Sequence, residues 1–320
     1  MDDIRWFAPN RFCTLVVPSL RARGLSIALE GDAPARLAIA MDAQVAAAAC
    51  TYAARHSSVL IHYLWDLPPW RLGRGRHDWV WYVLGRYLRV PRVGRRYAER
   101  PGYYSRLRFV AVHAREVWVP SAHTAASVPE RLGVACRRVP FCFDSDRFTP
   151  APMARSRGLL TVSHLTPHKN HAAVIRAAAR LEPKTPVRII GRGPERASLE
   201  RLAATLGVPC TIESDLTEAE MVTAYRTAEL VVCPSAFEGF GLTPMEAIAT
   251  ATPVVASDIP PHREFLGTSP HFFTLDDDDS LVAAIGAARA GPGPEPDVLS
   301  GVTIDAAAER FWAGLMPYLR

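Results

Sequence analysis

Between residues 158 and 257, short apolar runs alternate with stretches whose apolar residues recur every three to four positions. The first pattern predicts buried strands and the second predicts amphipathic helices. The predicted strands are GLLTVSHL, PVRIIGRGP, CTIES, ELVVCPS and PVVAS, and the helices between them are HAAVIRAAARL, ERASLERLAATLG, LTEAEMVTAYRTA and TPMEAIATA. Gly207 closes the second helix, and Thr217 and Glu220 have the spacing of a capping box. This alternation predicts right-handed crossovers and a parallel sheet with helices on both faces.

The first half of the chain is less regular but has the same character. IRWFAPN and SSVLIHYLWDLPP predict buried strands, ARLAIAMDAQVAAAACTYAARH a short strand and a long helix, and FVAVHAREVWVPS a helix leading into a strand. We therefore expect two α/β domains, residues 1–148 and 149–302, joined by the Pro-rich, polar stretch FCFDSDRFTPAPMARSRG. Residues 303–320 predict a helix with one apolar face that could pack on either domain.

Composition fits a globular protein. The 320 residues suit two domains of ordinary size, and 49% are apolar and 22% charged. No apolar run approaches the roughly 20 residues of a membrane span, and the acidic start MDDIRWFAPN lacks the apolar core of a signal peptide. A cytoplasmic location is therefore expected. The six cysteines are scattered without a CxxC pair, which favours reduced, mostly buried thiols over a disulfide framework or a zinc site.

Charge is distributed unevenly along the chain. Residues 1–150 contain 22 Arg, no Lys and 12 acidic residues, about +10 in total, whereas the remainder carries about −5. Half of these arginines, 11, lie in the segment 71–108, interleaved with Trp79, Trp81 and several Tyr. Such a segment can bind an anionic membrane surface, such as the inner face of the membrane, or a phosphorylated acceptor, or it can form a solvated helical face. Nucleic acid is the least favoured partner.

Two loops that follow predicted strands carry candidate chemistry. Lys169 stands in SHLTPHKNH, between a strand and a helix, and is one of only two lysines in the chain. An ammonium at such a position suits a diphosphate, although an exposed loop lysine is the simpler alternative. The glycines of IIGRGPER permit a tight turn and close backbone approach, which a plain strand-to-helix turn would explain equally well.

The loop SAFEGFGLTPMEAIA is the most informative stretch. Gly239 and Gly241 let the chain bend so that successive N–H groups point outward, and the helix that begins near Thr243 adds its positive N-terminal end. The carboxylates of Glu238 and Glu246 can accept hydrogen bonds from sugar or ribose hydroxyls. For Glu246 an alternative stays open, because Thr243 and Glu246 have capping-box spacing and Glu246 could cap its own helix.

The stretch CPSAFEGFGLTPMEAIATATPVVASDIPPHRE resembles the donor-site signature of the family-four glycosyltransferases (glycosyl transferases group 1), which carry two glutamates separated by seven residues. The resemblance extends to VSHLTPHKN, IIGRGP, LTEAEMVTAYRTAELVVCPS and FFTLDDDDSLVAAI. It covers residues 145–290 closely and the first half weakly, through LWDLPP, VWVPSAHTAASV and FDSDRFTP. It implies an α/β GT-B fold, in which two Rossmann-like, doubly wound parallel-sheet domains face a cleft and the last helix often crosses back to the first domain.

The resemblance also implies a retaining, metal-independent hexosyltransferase with a nucleotide-diphosphate sugar as donor and no separate cofactor. By family role, Lys169 and its loop partner His164 would stabilise the departing diphosphate. Glu238 would contact the donor sugar and the developing oxocarbenium centre, Glu246 would bind ribose, and Asp66 is a further catalytic candidate in the first domain. Phosphate and sugar would be held by backbone groups of Gly239, Phe240, Gly241 and Leu242.

Several positions depart from the family pattern. His164 stands where the family has an arginine in the first loop, Ser163 replaces the glycine before it, and Ala251 replaces a small glycine after the donor helix. A histidine can still donate to phosphate, but it is cationic mainly under acidic conditions. APNRFCTLVVPS stands where the family has a Gly-rich loop after the first strand.

The family pattern also indicates roles for the remaining acidic and histidine positions. Trp65 and Asp66 occupy the place of a frequent His-Asp pair, and His62 lies too early, so we expect a core histidine with satisfied hydrogen bonds. The acidic run 276–279 matches a helix start, where carboxylates suit the helix dipole, and no metal site is expected there.

The sequence thus favours a retaining glycosyltransferase with an anionic or lipid-linked acceptor. The departures support a second hypothesis, a catalytically impaired glycosyltransferase-like subunit that binds a nucleotide sugar or regulates another protein.

Overall fold

The computed structural model of the chain describes residues 2–67 and 103–320, and elements are numbered over those residues. The chain divides into two compact units. Unit 1 comprises Met1–Phe141 and Ile304–Arg320, and unit 2 comprises Cys142–Thr303. The boundary lies at the first residues of the predicted linker, a few positions before the expected 148/149.

Unit 1 is a parallel α/β unit. Its strands are β1 (Asp2–Phe7), β2 (Ile27–Ala28), β3 (Ala35–Ala40), β4 (Val59–Tyr63), β5 (Glu116–Val119) and β6 (Arg137–Arg138). Its helices are α1 (Val17–Ala22), α2 (Ala43–His56), α3 (Tyr103–His113), α4 (Ala122–Leu132) and α11 (Ile304–Leu319). The strand order β2-β1-β3-β4-β5-β6 is parallel throughout and follows the flavodoxin-like form of the doubly wound sheet.

The last helix completes the core of unit 1. The Phe311 ring lies 5.8 Å from Trp6, 5.7 Å from Tyr63 and 5.2 Å from Trp118, measured between centroids. These four rings are fully buried. Gly314 permits the close approach, because a Cβ there would lie 2.7 Å from the Trp118 ring. The helix placed by sequence on either domain therefore packs on the sheet of unit 1.

Unit 2 contains the regular part of the sequence pattern. Its strands are β7 (Ser156–Val162), β8 (Val187–Ile190), β9 (Cys210–Glu213), β10 (Ala228–Cys233), β11 (Val254–Ser257) and β12 (His271–Phe273). Its helices are α5 (His171–Arg180), α6 (Arg196–Leu206), α7 (Glu218–Thr227), α8 (Leu242–Ala249), α9 (Pro260–Leu266) and α10 (Asp278–Ala290). The parallel order β12-β11-β10-β7-β8-β9 is that of a dinucleotide-binding Rossmann sheet.

The sheet of unit 2 is buried on both faces, which explains its continuous apolar strands. Neighbouring strand residues enter different cores: Leu159 and Val232 join the cluster with α5 and α10, whereas Leu160 and Val231 join the cluster with α7 and α8. Each helix therefore covers one side of a central sheet, as the strand–helix alternation predicts.

Several local predictions are confirmed. Gly207 ends α6 with a left-handed φ of 63°, and Thr217 and Glu220 form the capping box of α7. All six cysteines are free, but only three of them are buried and three are partly exposed, whereas mostly buried thiols were expected. In place of a Gly-rich loop after β1, the chain forms a 3-10 turn at Phe12–Thr14 and then α1.

Two further findings concern membranes. Within residues 2–67 and 103–320, no helix combines the length and apolarity needed to cross a bilayer. The Arg-rich segment 71–108 falls, up to residue 102, outside the described residues, so its predicted surface role stays a prediction.

Candidate functional site

The candidate residues of unit 2 gather where its strand order reverses. β7 and β10 are adjacent in the sheet, yet β7 leads into α5 and β10 leads into α8, and these two helices cover opposite faces of the sheet. Such a switch point leaves a crevice at the carboxyl ends of the strands, where ligands bind in open α/β sheets. Lys169 follows β7 and Glu238 follows β10. The two loops are tied together by the Ala236 amide, which donates to the His168 carbonyl at 2.7 Å.

The loop after β7 holds Lys169 in a defined position. Pro167–Lys169 forms a 3-10 turn, and Asn170 has a left-handed φ of 54° before α5 begins at His171. The buried His171 ring lies 2.8 Å from the Ser163 hydroxyl and 3.2 Å from that of Thr161. Burial lowers the pKa of His171 to about 4, so the ring is neutral and holds the Ser163 and Thr161 hydroxyls in place. Ser163, which replaces the family glycine, thus has a structural partner.

Two glycines of the loop after β8 lie directly against the loop after β7. A Cβ on Gly191 would lie 1.9 Å from the Ser163 carbonyl oxygen, and one on Gly193 would lie 2.3 Å from that of Leu165. No side chain fits at either position. The IIGRGP motif therefore permits close packing of the β8 loop against the β7 loop, which is the close backbone approach that the sequence allowed.

The chain bends sharply between Glu238 and α8. Gly241 has a φ of 87°, in the left-handed region, and precedes the first helical residue, Leu242. Phe240 anchors the bend in the core, with its ring centroid 4.6 Å from that of Phe265. The Thr243 hydroxyl donates to the Val162 carbonyl at 3.0 Å, which ties the helix start to the end of β7. The first turn of α8, whose N–H groups have no partner within the helix, therefore starts at the carboxyl end of β7.

Lys169 and Glu238 form an ion pair across the switch point. The Lys169 ammonium donates to Glu238 Oε1 at 2.6 Å, and the side chains are only 16% and 20% exposed. Burial acts to raise the pKa of Glu238, but the charge and hydrogen bond of Lys169, together with His262 and a Ser235 hydrogen bond, outweigh it, and the net pKa is lowered. Glu238 is thus an ionised carboxylate with one cationic partner.

Glu246 is not a helix cap, and that alternative is wrong. The helix begins at Leu242, four positions before Glu246, and no side chain caps it. Glu246 instead accepts a hydrogen bond from the Tyr225 hydroxyl at 2.7 Å. Burial raises the pKa of Glu246 to about 7, against the opposing effect of the Tyr225 hydrogen bond. Near neutral pH this carboxyl can therefore both donate to and accept from a pair of hydroxyls.

His262 is a residue of this site that the sequence reasoning missed. It lies on α9, its ring is 1% exposed, and Cδ2 would be 3.1 Å from a Cβ on Gly241. The available signal was position: His262 closely follows β11, the strand next to β10 in the sheet. Polar residues after each of three adjacent strands converge at one edge.

Two further candidates from the sequence have no contact with Lys169 or Glu238 among the hydrogen bonds and ion pairs of the described residues. His164 is exposed at the start of the β7 loop, and Asp66 is partly buried after β4 in unit 1. Trp65 packs among aromatic rings, with Phe12 at 5.5 Å and Phe141 at 5.2 Å.

His62 is buried as predicted, but it is not satisfied. Neither ring nitrogen has a hydrogen-bond partner among the described residues, and burial lowers the pKa of His62 to about 4. The strand pattern indicates burial of a side chain but gives no account of its partners.

The acidic run 276–279 serves the start of α10. Asp277 caps the helix by accepting from the Ser280 amide at 2.9 Å. Asp278 accepts two hydrogen bonds from Arg176, at 2.7 and 2.9 Å, and Asp279 pairs with Arg180. These carboxylates bind α5 to α10, in agreement with the expected helix-start role.

The arrangement can hold a ligand that carries both negative charge and hydroxyls. One ammonium and a helix N-terminus offer positive potential, while Glu238 and Glu246 offer hydroxyl-binding oxygens on either side of the bend.

Comparisons with known proteins agree with this geometry. Residues 144–288 match the family model described as glycosyl transferases group 1. The chain is 29% identical over 222 residues to an MMP alpha-(1->4)-mannosyltransferase of Mycolicibacterium hassiacum, covering 65% of this chain and 52% of that protein. It is 29% identical over 213 residues to a GDP-mannose-dependent alpha-(1-6)-phosphatidylinositol monomannoside mannosyltransferase of Mycolicibacterium smegmatis, covering 58% and 56%. The matched part thus spans about half the length of these relatives.

A solved structure covers nearly the whole chain. HepE of Anabaena, in complex with UDP and glucose, aligns with a TM-score of 0.72 at 13% identity, covering 99% of this chain and 100% of that one. Likeness at this identity concerns the fold, and it confirms the predicted α/β GT-B class. The family match covers the loops after β7 and β10 together, so residues 144–288 are similar to the group 1 glycosyltransferases over the whole candidate site of unit 2.

Proposed function

We propose that the protein transfers a sugar from a nucleotide-diphosphate donor to an acceptor, with retention at the anomeric carbon and without a metal ion. The observation that carries the proposal is the Lys169–Glu238 pair, 2.6 Å across the switch point and next to the Gly239–Leu242 bend. A cation, a helix N-terminus and hydroxyl-binding carboxylates within one crevice suit the diphosphate and the sugar of one ligand.

Each residue has a distinct role in this proposal. Lys169 and the backbone N–H groups at the start of α8 bind the diphosphate, with His164 as a second donor from the same loop. As the bond between anomeric carbon and phosphate breaks, the diphosphate leaves with the electron pair, and Lys169 stabilises that charge. Glu238 holds donor-sugar hydroxyls and the developing positive charge, and Glu246 binds the ribose diol. Asp66 stays a catalytic candidate on the resemblance alone.

A donor-hydrolysis assay tests the proposal. UDP-glucose and GDP-mannose are suitable first donors, because HepE is solved with UDP and glucose and a relative uses GDP-mannose. We expect the donor that raises thermal stability by mass action also to release its nucleotide slowly. Glu238→Ala should lower this rate by at least about 10²-fold while nucleotide binding persists.

The matched control is Glu200→Ala. Glu200 makes an exposed i,i+4 ion pair with Arg196 in the same unit, which is worth well under about 1 kcal/mol. This variant should keep the parent rate. Equal rates for both variants would contradict the proposed role of Glu238, and an unchanged rate with EDTA is expected for a reaction that uses no metal ion.

A second candidate is a binding or regulatory subunit that retains the donor site but lacks turnover. Trp65, which stands where the family often has histidine, is held among aromatic rings, and its indole N–H donates to the Met41 carbonyl. Tight nucleotide-sugar binding without hydrolysis or transfer, under conditions where Glu238→Ala changes nothing, would favour this candidate.

For the acceptor we propose an anionic or lipid-linked molecule at a membrane surface. The support is the 11 arginines of segment 71–108 and the helix α3 at its end, on which Phe109 and Val112 are 53% and 54% exposed. Co-sedimentation with phosphatidylserine-containing vesicles should weaken with salt. It should also fall when five arginines are replaced by glutamine, at positions 86, 89, 92, 95 and 96. Binding indifferent to both changes would remove the membrane from the proposal.

A further inference from the structure

The His262 side chain is fixed by one of its two ring nitrogens. Nδ1 lies 2.9 Å from the Ser257 carbonyl oxygen, and because a carbonyl only accepts, Nδ1 carries the proton. Ser257 is held in turn, since its hydroxyl donates to the Ser235 carbonyl at 2.6 Å. The ring therefore has one tautomer, and only Nε2 can gain or lose a proton.

Nε2 is buried and has no hydrogen-bond partner among the described residues. Such a group is uncommon in proteins and calls for an explanation. The ring edge that carries Nε2 lies under the bend, because Nε2 would be 3.5 Å from a Cβ on Gly241. Gly241 is three positions from Glu238, and both belong to the donor site proposed above.

Electrostatics raises a separate question about the same site. Lys169 pairs with Glu238, yet in the proposed function it also neutralises a diphosphate. One ammonium that turns toward a diphosphate leaves the mostly buried Glu238 carboxylate without its cation. A buried charge that loses its partner is strongly unfavourable, so a replacement is needed.

We propose that His262 is this replacement: when Lys169 engages a diphosphate, His262 takes up one proton at Nε2 and becomes the cationic partner of Glu238. The proton comes from solvent, the imidazole becomes imidazolium, and no bond other than N–H forms. His262 is then a positioning residue, which keeps Glu238 ionised and in place for the sugar. The inference rests on the proposed function, because it requires a diphosphate ligand.

The groups around His262 agree with this exchange. Burial lowers the pKa of His262, Glu238 in the bend opposes that effect, and Lys169 in the β7 loop adds to it. Among the described residues, Glu238 and Lys169 are the charged side chains that act on the His262 ring. Removing the influence of Lys169 while Glu238 remains therefore raises the pKa of His262.

Isothermal titration calorimetry with UDP-glucose or GDP-mannose, in two buffers of different ionisation enthalpy, measures the proton uptake. A nucleotide sugar is the right probe because its diphosphate has no titrating proton near neutral pH. We expect the parent protein to take up on the order of one proton per ligand at pH 7. His262→Asn should take up about one proton fewer than the parent, since its amide N–H can replace Nδ1–H but nothing replaces Nε2.

The difference between parent and variant isolates His262, because Glu246, which also titrates near pH 7, is present in both. Nitrogen-15 spectra of the parent imidazoles provide a second measurement that needs no variant: one ring should change from neutral to cationic on ligand addition. Binding with no proton uptake and no such spectral change would overturn the inference and leave the proposed function standing. If neither nucleotide sugar binds, the proposed function and this inference fail together.

Discussion

At the scale of single residues, the site depends on contacts between positions distant in sequence. The sequence predicted that Lys169 and Glu238 share one site, because each follows a strand of a parallel sheet. It gave no reason to expect the partner of Glu246, since Tyr225 lies 21 positions away on another helix. Local spacing suggested a capping role instead. His262 was missed for the same reason, as its neighbours are Gly241 and Ser257 in the folded chain.

Glu246 should make stability depend on pH. Its pKa is raised to about 7 by burial, above the 4.5 of an ordinary glutamate, so the folded state holds a proton that the unfolded state has lost. Stability is then highest below about pH 4.5 for this group and decreases as pH rises to 7. Between pH 5 and pH 8, this group should lower the free energy of unfolding of the parent protein by up to about 3 kcal/mol. Glu246→Gln should not show this decrease.

Urea unfolding of parent and Glu246→Gln at pH 5 and pH 8 measures this effect. Gln keeps an acceptor for the Tyr225 hydroxyl, so it serves as a conservative replacement. A stability difference between the two proteins that is the same at both pH values would contradict the raised pKa.

Ala251 occupies a position that favours glycine. Its φ is 57°, in the left-handed region where a Cβ is strained, and it stands where the family has a glycine. Ala251→Gly should therefore raise the free energy of unfolding of unit 2 by about 0.5–1 kcal/mol, equivalent to about 1–4 °C.

The reverse substitution, Gly133→Ala, is the matched control. Gly133 has a φ of 70° at the end of α4, and no atom lies within 4 Å of a Cβ there. It should lose about the same stability from backbone strain alone. Thermal unfolding in which Ala251→Gly is neutral or destabilising would show that the strain at this position is relieved in another way.

At the scale of elements, the strands and helices of unit 2 follow from the sequence because both faces of its sheet are buried. The apolar strands are continuous, and turn residues separate them from helices with clear periodicity. Unit 1 was less predictable. α1 (Val17–Ala22) has only six residues and begins with valine and proline, so its pattern resembles a loop. β2 (Ile27–Ala28) pairs through only two residues, too few to produce an alternating pattern.

The contact between the loops of β7 and β8 is an element-scale property with a clear test. Gly191→Ala would bring a Cβ to 1.9 Å from the Ser163 carbonyl, so the loop that carries Lys169 must shift. We expect a loss of about 2 kcal/mol or more in unfolding free energy, together with loss of nucleotide-sugar binding in calorimetry.

Gly286→Ala provides the comparison. Gly286 is exposed within α10, and no atom lies within 4 Å of a Cβ there, so alanine should stabilise the helix by about 0.5–1 kcal/mol and leave binding unchanged. If both variants bind the ligand like the parent, the packing of the two loops does not position the site.

At the scale of the whole molecule, the two units have separate cores. Phe311 belongs to unit 1 although only residues 304–320 of that unit lie beyond unit 2 in the chain. Phe311→Ala removes a ring that contacts Trp6, Tyr63 and Trp118, and should lower the stability of unit 1 by about 3–5 kcal/mol.

Hydrogen exchange followed by mass spectrometry resolves the two units. Faster exchange should appear in β1, β3 and β4, whereas the strands β7, β8 and β10 of unit 2 should keep the parent rates. Equal acceleration in both sheets would mean that the cores unfold as one cooperative body.

Unit 1 is built from two separate segments of the chain, and this affects the order in which the units fold during translation. The first 141 residues leave the ribosome long before residues 304–319 are synthesised. The space among Trp6, Tyr63 and Trp118 is therefore not filled until Phe311 has been added. Cys142–Thr303 is continuous and can fold as soon as it emerges. The segment translated second is therefore finished first, and the unit that begins earlier in the chain is completed by the helix Ile304–Leu319.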